Sequence, residues 1–160
     1  MVETYQTVFI GLWLILSTII IQAIILIRSH RKQRGYKVGV MDSSLGQESF
    51  LFRSYRVFWN SLENIVPMFG MALLAILGGY DSSTLSSIVW IYAVTRIIHM
   101  LLYYFIATDK NPSIRSIFYL IGFFANLYLM IDLGIFLISS YWKCFVIKLS
   151  VNSIWVTKFF

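Results

Sequence analysis

Four long apolar stretches constrain this chain more than anything else in it. The first, TVFIGLWLILSTIIIQAIILI, runs from about Thr7 to Ile27 without a charged residue. About twenty residues at 1.5 Å each span a hydrocarbon core of about 30 Å. Inside lipid every backbone polar group must bond within the protein, so a stretch like this is a helix. Three more stretches follow, at about residues 54–77, 84–107 and 113–139. The separators are RSHRKQRGYK with VGVMDSSLGQESF, then GGYDSS, then TDKNPS. Asp81 or Ser82 is placed to cap the third helix, and Asn111 before Pro112 to cap the fourth. The expected fold is an all-α membrane protein, a four-transmembrane-helix bundle. Residues 1–140 form the one domain, and residues 141–160 form a basic and aromatic tail. That tail reads as an interfacial segment or as a continuation of the last helix.

Composition supports this reading. Hydrophobic residues make up 59% of the chain and charged residues 12%, well below the quarter of a soluble domain. The net charge of +6 comes from basic residues gathered at span ends, which points to orientation in a membrane and not to nucleic acid. Arg28, Arg31, Lys32, Arg34 and Lys37 follow the first span, and Lys110 and Arg115 flank the third separator. The second separator has no basic residue and carries Asp81. The positive-inside rule therefore puts the first and third separators in the cytosol. The lysines of the tail pull mildly the other way. One cysteine, Cys144, excludes an intramolecular disulfide and paired-cysteine redox or zinc chemistry, and no metal site is expected. Glu3 before the first span and the basic cluster after it argue for an uncleaved helix over a signal peptide.

The second span is not purely apolar. Arg53, Arg56, Asn60, Glu63 and Pro67 recur in steps of three and four, so they share one side of a helix. Arg96, His99 and Tyr103 do the same on the third span, and Arg115, Gly122 and Asn126 on the fourth. Glu63 lies about 15 Å beyond Arg53, and Arg96 and Asn126 reach about the same depth from the same side. Charges at such depth face a bundle interior or a wet cavity and find partners. The expected arrangement is a Glu63–Arg96 pair steadied by Asn126. Nearer the cytosol, Arg53, Arg56, His99, Tyr103, Arg115 and Ser116 form a layer with surplus positive charge, which wants an anion. Each residue alone has a blander reading as interhelical glue. Asp132, toward the far side, reads as a packing or boundary residue. Pro67 is a candidate for a kink that opens a cavity.

The stretches RVFWNSLENIVPMF, RIIHMLLY and NPSIRSIFYLIGFFANL resemble the MAPEG superfamily, the membrane-associated proteins in eicosanoid and glutathione metabolism. The resemblance covers about residues 7 to 139. It implies a homotrimer of four-helix subunits that binds glutathione between neighbours in the cytosolic half of the membrane. Matched residue by residue, Arg56, Asn60, Glu63, Arg96, His99 and Tyr103 would hold glutathione, with Arg28 meeting one of its carboxylates. Arg115 would stabilise the thiolate and Ser116 would donate a hydrogen bond to the sulfur. The resemblance thus implies a glutathione transferase acting on lipophilic electrophiles, with reduction of lipid hydroperoxides beside it. It implies an endoplasmic-reticulum-type or bacterial inner membrane as the setting. Phe58 stands where many members have histidine, and Trp59 where some synthases have arginine. These departures leave an alternative: a non-catalytic lipid-binding or scaffold member. A channel or transporter is disfavoured, because the polar layer is confined to one half of the bilayer and no inverted repeat is visible.

Overall fold

The computed structural model describes residues 2–33, 37–110 and 112–157, the side chains of residue 144 and of residues beyond 145 excepted. Four helices make up the described chain: α1 (Gln6–Arg31), α2 (Phe50–Gly78), α3 (Ser82–Phe105) and α4 (Ile114–Thr157). All four are long and apolar enough to cross a membrane. Each begins or ends within a few residues of its sequence expectation, except at the end of α4. There the tail continues the helix to Thr157. Tyr141, Trp142 and Phe145 form an aromatic cluster on this extension. The Asn111 cap, Arg34 and the Cys144 side chain lie outside the described residues.

Helix ends follow local chemistry. The Ser49 hydroxyl accepts from the Phe52 amide at 3.4 Å and starts α2. Gly79 closes α2 at φ 72°, a left-handed conformation that suits glycine, while the Tyr80 amide reaches back to the Ala75 carbonyl at 2.9 Å. Asp81 then caps α3, accepting from the Thr84 amide at 2.7 Å. That amide holds the Asp81 carboxyl below its ordinary value. α2 runs through Pro67 as helix, with Pro67 on the exposed side.

α2 and α3 are the inner pair, each touching α1 and α4. The core between them is built from Val8, Leu12 and Ile15 of α1, Met68 and Ala72 of α2, Val89 and Tyr92 of α3, and Leu129 and Leu133 of α4. Lipid offers no hydrophobic drive between helices, so close packing through small residues matters more. Gly11 shows this best. A Cβ there would sit 2.7 Å from Cγ1 of the fully buried Val89, beside Trp90, whose indole donates to the Thr7 carbonyl at 3.1 Å. Val89 is β-branched and cannot swing away cheaply. Gly11→Ala is therefore expected to destabilise the bundle by about 1–3 kcal/mol in thermal unfolding in detergent. Gly134→Ala, where the added carbon meets nothing within 4 Å, should leave the transition in place or raise it slightly, because alanine is the better helix former.

The end of the bundle at the α2–α3 turn is stitched by polar bonds. The Tyr5 hydroxyl donates to the Tyr80 carbonyl at 2.5 Å, and the Tyr80 hydroxyl donates to the Asp132 carboxylate. Burial, aided by the Asp132 contact, pushes the Tyr80 hydroxyl above its ordinary pKa. Asp132 thus ties α4 to the turn, in keeping with a packing role.

Candidate functional site

At the opposite end, α2, α3, α4 and the connection at residues 106–113 surround a cavity of about 530 Å³. Asn60 of α2, His99 and Tyr103 of α3, and Arg115 and Ser116 of α4 all line it. Gln47, Asp109, Lys110 and Tyr119 complete its polar and aromatic wall. The volume falls within the usual range for small-molecule sites. Two cations face one carboxylate across this lining, so the cavity favours an anion.

Arg115 is held from several directions. Nη2 donates to the Thr108 carbonyl at 2.5 Å. Nη1 donates to Gln47 Oε1 at 3.1 Å and to the Ile106 carbonyl at 3.4 Å. The guanidinium lies 4.2 Å from the centre of the Tyr103 ring. Every one of these acceptors is neutral, and Nε is buried without a partner among the described residues. The positive charge is therefore placed and oriented but not cancelled. Beside it, Ser116 Oγ accepts from the Ser113 amide at 3.2 Å, which leaves the hydroxyl hydrogen free to donate elsewhere. The His99 ring sits 5.0 Å from that of Tyr103 and 6.1 Å from that of Tyr119, with Nδ1 buried and without a partner.

Behind the cavity wall lies Arg96. Its Nη2 donates to Asn60 Oδ1 at 2.6 Å and approaches Ser61 Oγ at 3.4 Å. Gly122 lets its stem pass, since a Cβ there would come within 3.3 Å of Arg96 Cδ. α2, α3 and α4 do meet in one polar layer, but the partners differ from the expected ones. Arg96 pairs with Asn60 and not with Glu63, which is exposed on the opposite side of α2 from buried Ser61. Asn126 donates to the Asn64 carbonyl at 3.3 Å and takes no part in an ion pair with Arg96. The reason is angular. Steps of three and four drift, and from Arg53 to Glu63 the drift is about 80°. One edge of that arc, Arg53 and Asn60, turns inward; the other, Arg56, Glu63 and Pro67, turns outward.

Six of the nine candidate residues thus gather: Asn60, His99, Tyr103, Arg115 and Ser116 on the cavity, with Arg96 bonded behind it. Arg56 and Glu63 stand exposed on the outer face of α2 with Trp59, and Phe58 packs against the core. Arg28 lines a separate recess of about 360 Å³ with Ser29, Lys32, Phe50 and Leu51. Sequence reading missed Gln47 and Tyr119. Gln47 lies in an irregular polar loop with no periodicity to reveal which way its side chain turns. Tyr119 lies one helical turn beyond Arg115, a spacing that could have flagged it.

The sequence pattern of the MAPEG family matches residues 7–135. The chain belongs to the MAPEG family. The match takes in the first three helices but for Gln6, the first half of α4 and every candidate residue named above. No curated protein and no solved structure gives a significant match to the chain. Family membership and the four apolar helices make this MAPEG protein an integral, multi-pass membrane protein of the superfamily concerned with glutathione and eicosanoids. The part of α4 after residue 135 lies beyond the matched pattern.

Proposed function

We propose that this MAPEG protein is a membrane-bound glutathione transferase that ionises the glutathione thiol and presents it to lipophilic electrophiles. The observation that carries this reading is the cavity, where an uncancelled arginine from α4 meets a serine hydroxyl, a histidine, a tyrosine and an asparagine. Glutathione suits such a place. It has two carboxylates, one ammonium and a thiol whose ordinary pKa is about 8.5, which a nearby cation lowers. Arg115 and the Ser116 hydroxyl are the groups for the sulfur. Asn60, His99 and Tyr103 suit the peptide, and Arg96 keeps Asn60 oriented. The thiol proton leaves to water. The thiolate then forms an S–C bond as the electrophile's leaving group departs with the bonding pair. With a lipid hydroperoxide, two glutathiones become one disulfide while the peroxide becomes an alcohol and water.

Arg28, Arg56 and Glu63 enter through assembly. A carboxylate and a guanidinium facing lipid are costly, so the outer face of α2 is read as covered by a neighbouring copy. In a homotrimer these groups would complete the glutathione site from across the boundary. The basic residues around the cavity end support a cytosolic setting for it, by the positive-inside rule.

One observation favours the non-catalytic reading: both Nη atoms of Arg115 are engaged by the loop, as a purely structural arginine would be. Spectroscopy separates the two. Purified protein mixed with glutathione near neutral pH is expected to show the ultraviolet absorbance of a bound thiolate. Ser116→Ala should raise the midpoint of thiol ionisation by about 0.7 pH unit, the worth of one hydrogen bond. A spectrum equal to the sum of its components overturns the transferase reading, and lipid binding without glutathione binding establishes the scaffold.

A further inference from the structure

Among the described residues, the α1–α2 connection places a single side chain in the cavity wall, and that side chain touches the arginine assigned to the thiol. Gln47 Oε1 accepts from Arg115 Nη1 at 3.1 Å. The backbone beneath it is fixed by a second arginine. Arg53 Nη1 donates to the Gln47 carbonyl at 2.5 Å and to the Glu48 carbonyl at 3.0 Å, and Arg53 Nη2 reaches the Tyr104 carbonyl at 3.4 Å. Ser49, next along, caps α2. Gln47 is thus not a loose loop residue; its backbone is strapped to α2 and α3 while its amide is turned toward α4.

We infer that Gln47 is a positioning and specificity-determining residue of the thiol site, aiming Arg115 into the cavity through an acceptor that carries no charge. The inference rests on the reading of the cavity as a glutathione site. A carboxylate here would also aim Arg115, and more strongly, because arginine and carboxylate pair through two parallel bonds. But it would consume the charge that draws the thiolate. The chain puts the amide at 47 and the carboxylate at 48, and Glu48 is exposed, contributing only its backbone carbonyl to the strap. The other charged groups around Arg115 are Asp109 and Lys110 on the α3–α4 connection, Arg96 behind Asn60, and Arg53 beneath the loop. None of them is among the hydrogen-bond acceptors of the Arg115 guanidinium, which are Gln47 Oε1 and two backbone carbonyls.

The test is a pH titration of bound glutathione thiolate in the full-length protein in detergent. Gln47→Glu is expected to raise the midpoint by about one unit and to weaken glutathione binding about tenfold. Ser43→Glu, which adds the same charge at an exposed position of the same loop, should titrate as wild type does. Gln47→Met removes the acceptor without adding charge. It is expected to weaken binding severalfold and to raise the midpoint by less than Gln47→Glu does, and it serves if Gln47→Glu fails to fold. A Gln47→Glu protein that folds and titrates at the wild-type midpoint overturns the inference, as does a Gln47→Met protein that binds as wild type. If wild type itself shows no thiolate, the cavity reading has failed first and takes this one with it. That outcome is distinct from a wild-type thiolate indifferent to position 47.

Discussion

Arg115→Leu is expected to cut the fraction of bound glutathione present as thiolate at pH 7 by about thirtyfold. A thiol with a pKa of about 8.5 is only about 3% ionised at that pH, whereas one beside a well-placed cation is largely ionised. The deficit should shrink as pH rises past 8.5, where the thiol ionises without help. That pH signature separates loss of a charge from loss of the fold, which would depress the signal at every pH. Turnover should fall less than the thiolate signal, because a thiolate of lower pKa is also a weaker nucleophile. Arg115 also anchors the connection at residues 106–108, so Arg115→Lys is the companion variant. It keeps the charge and loses the fork, and should retain much of the thiolate with a less stable loop. A Leu variant with wild-type thiolate at pH 7 would end the assignment of Arg115 to sulfur.

The second large effect concerns stability. Asn60→Leu removes the 2.6 Å acceptor from the buried Arg96 guanidinium and leaves it only the longer contact to Ser61. Polar contacts between membrane helices average about 0.6 kcal/mol, but a bond to a buried charge is worth about 1.5–3 kcal/mol. The loss should sit in the upper range, because the charge remains and its partner does not. The double variant Asn60→Leu/Arg96→Met removes both and should recover at least half of that loss. Reversible unfolding in detergent of wild type, Asn60→Leu, Arg96→Met and the double variant closes the cycle. Strict additivity of the two substitutions would mean that the pair contributes nothing as a pair.

Much of this architecture was legible in the sequence because membrane helices are written in long, unambiguous apolar runs. Asp81 as the cap of α3 and the arrival of His99, Tyr103, Arg115 and Ser116 at one end of the bundle followed from spacing and depth. The Glu63–Arg96 pair did not follow, for a geometric reason. A side of a helix about 80° wide has two edges, and spacing cannot say which edge meets a neighbour. The choice between Asn60 and Glu63 was made by Ser54, Val57, Ser61 and Ile65, which turn the adjoining side of α2 into the core. Gln47 was illegible because a loop side chain is aimed by tertiary bonds, here from Arg53 and Arg115, and not by any repeat. The length of α4 was left open by a tail whose mix of aromatic and basic residues suits a membrane surface as well as a helix.

The two ends of this bundle differ mechanically. At one, the tight turn at residues 79–81 and the chain of contacts from Tyr5 through Tyr80 to Asp132 leave almost no slack. At the other, the links between α1 and α2 and between α3 and α4 are longer, and Arg53 and Arg115 each bond two of their described backbone carbonyls. Slack in such a body is therefore expected at the end with the longer links and not at the tight turn.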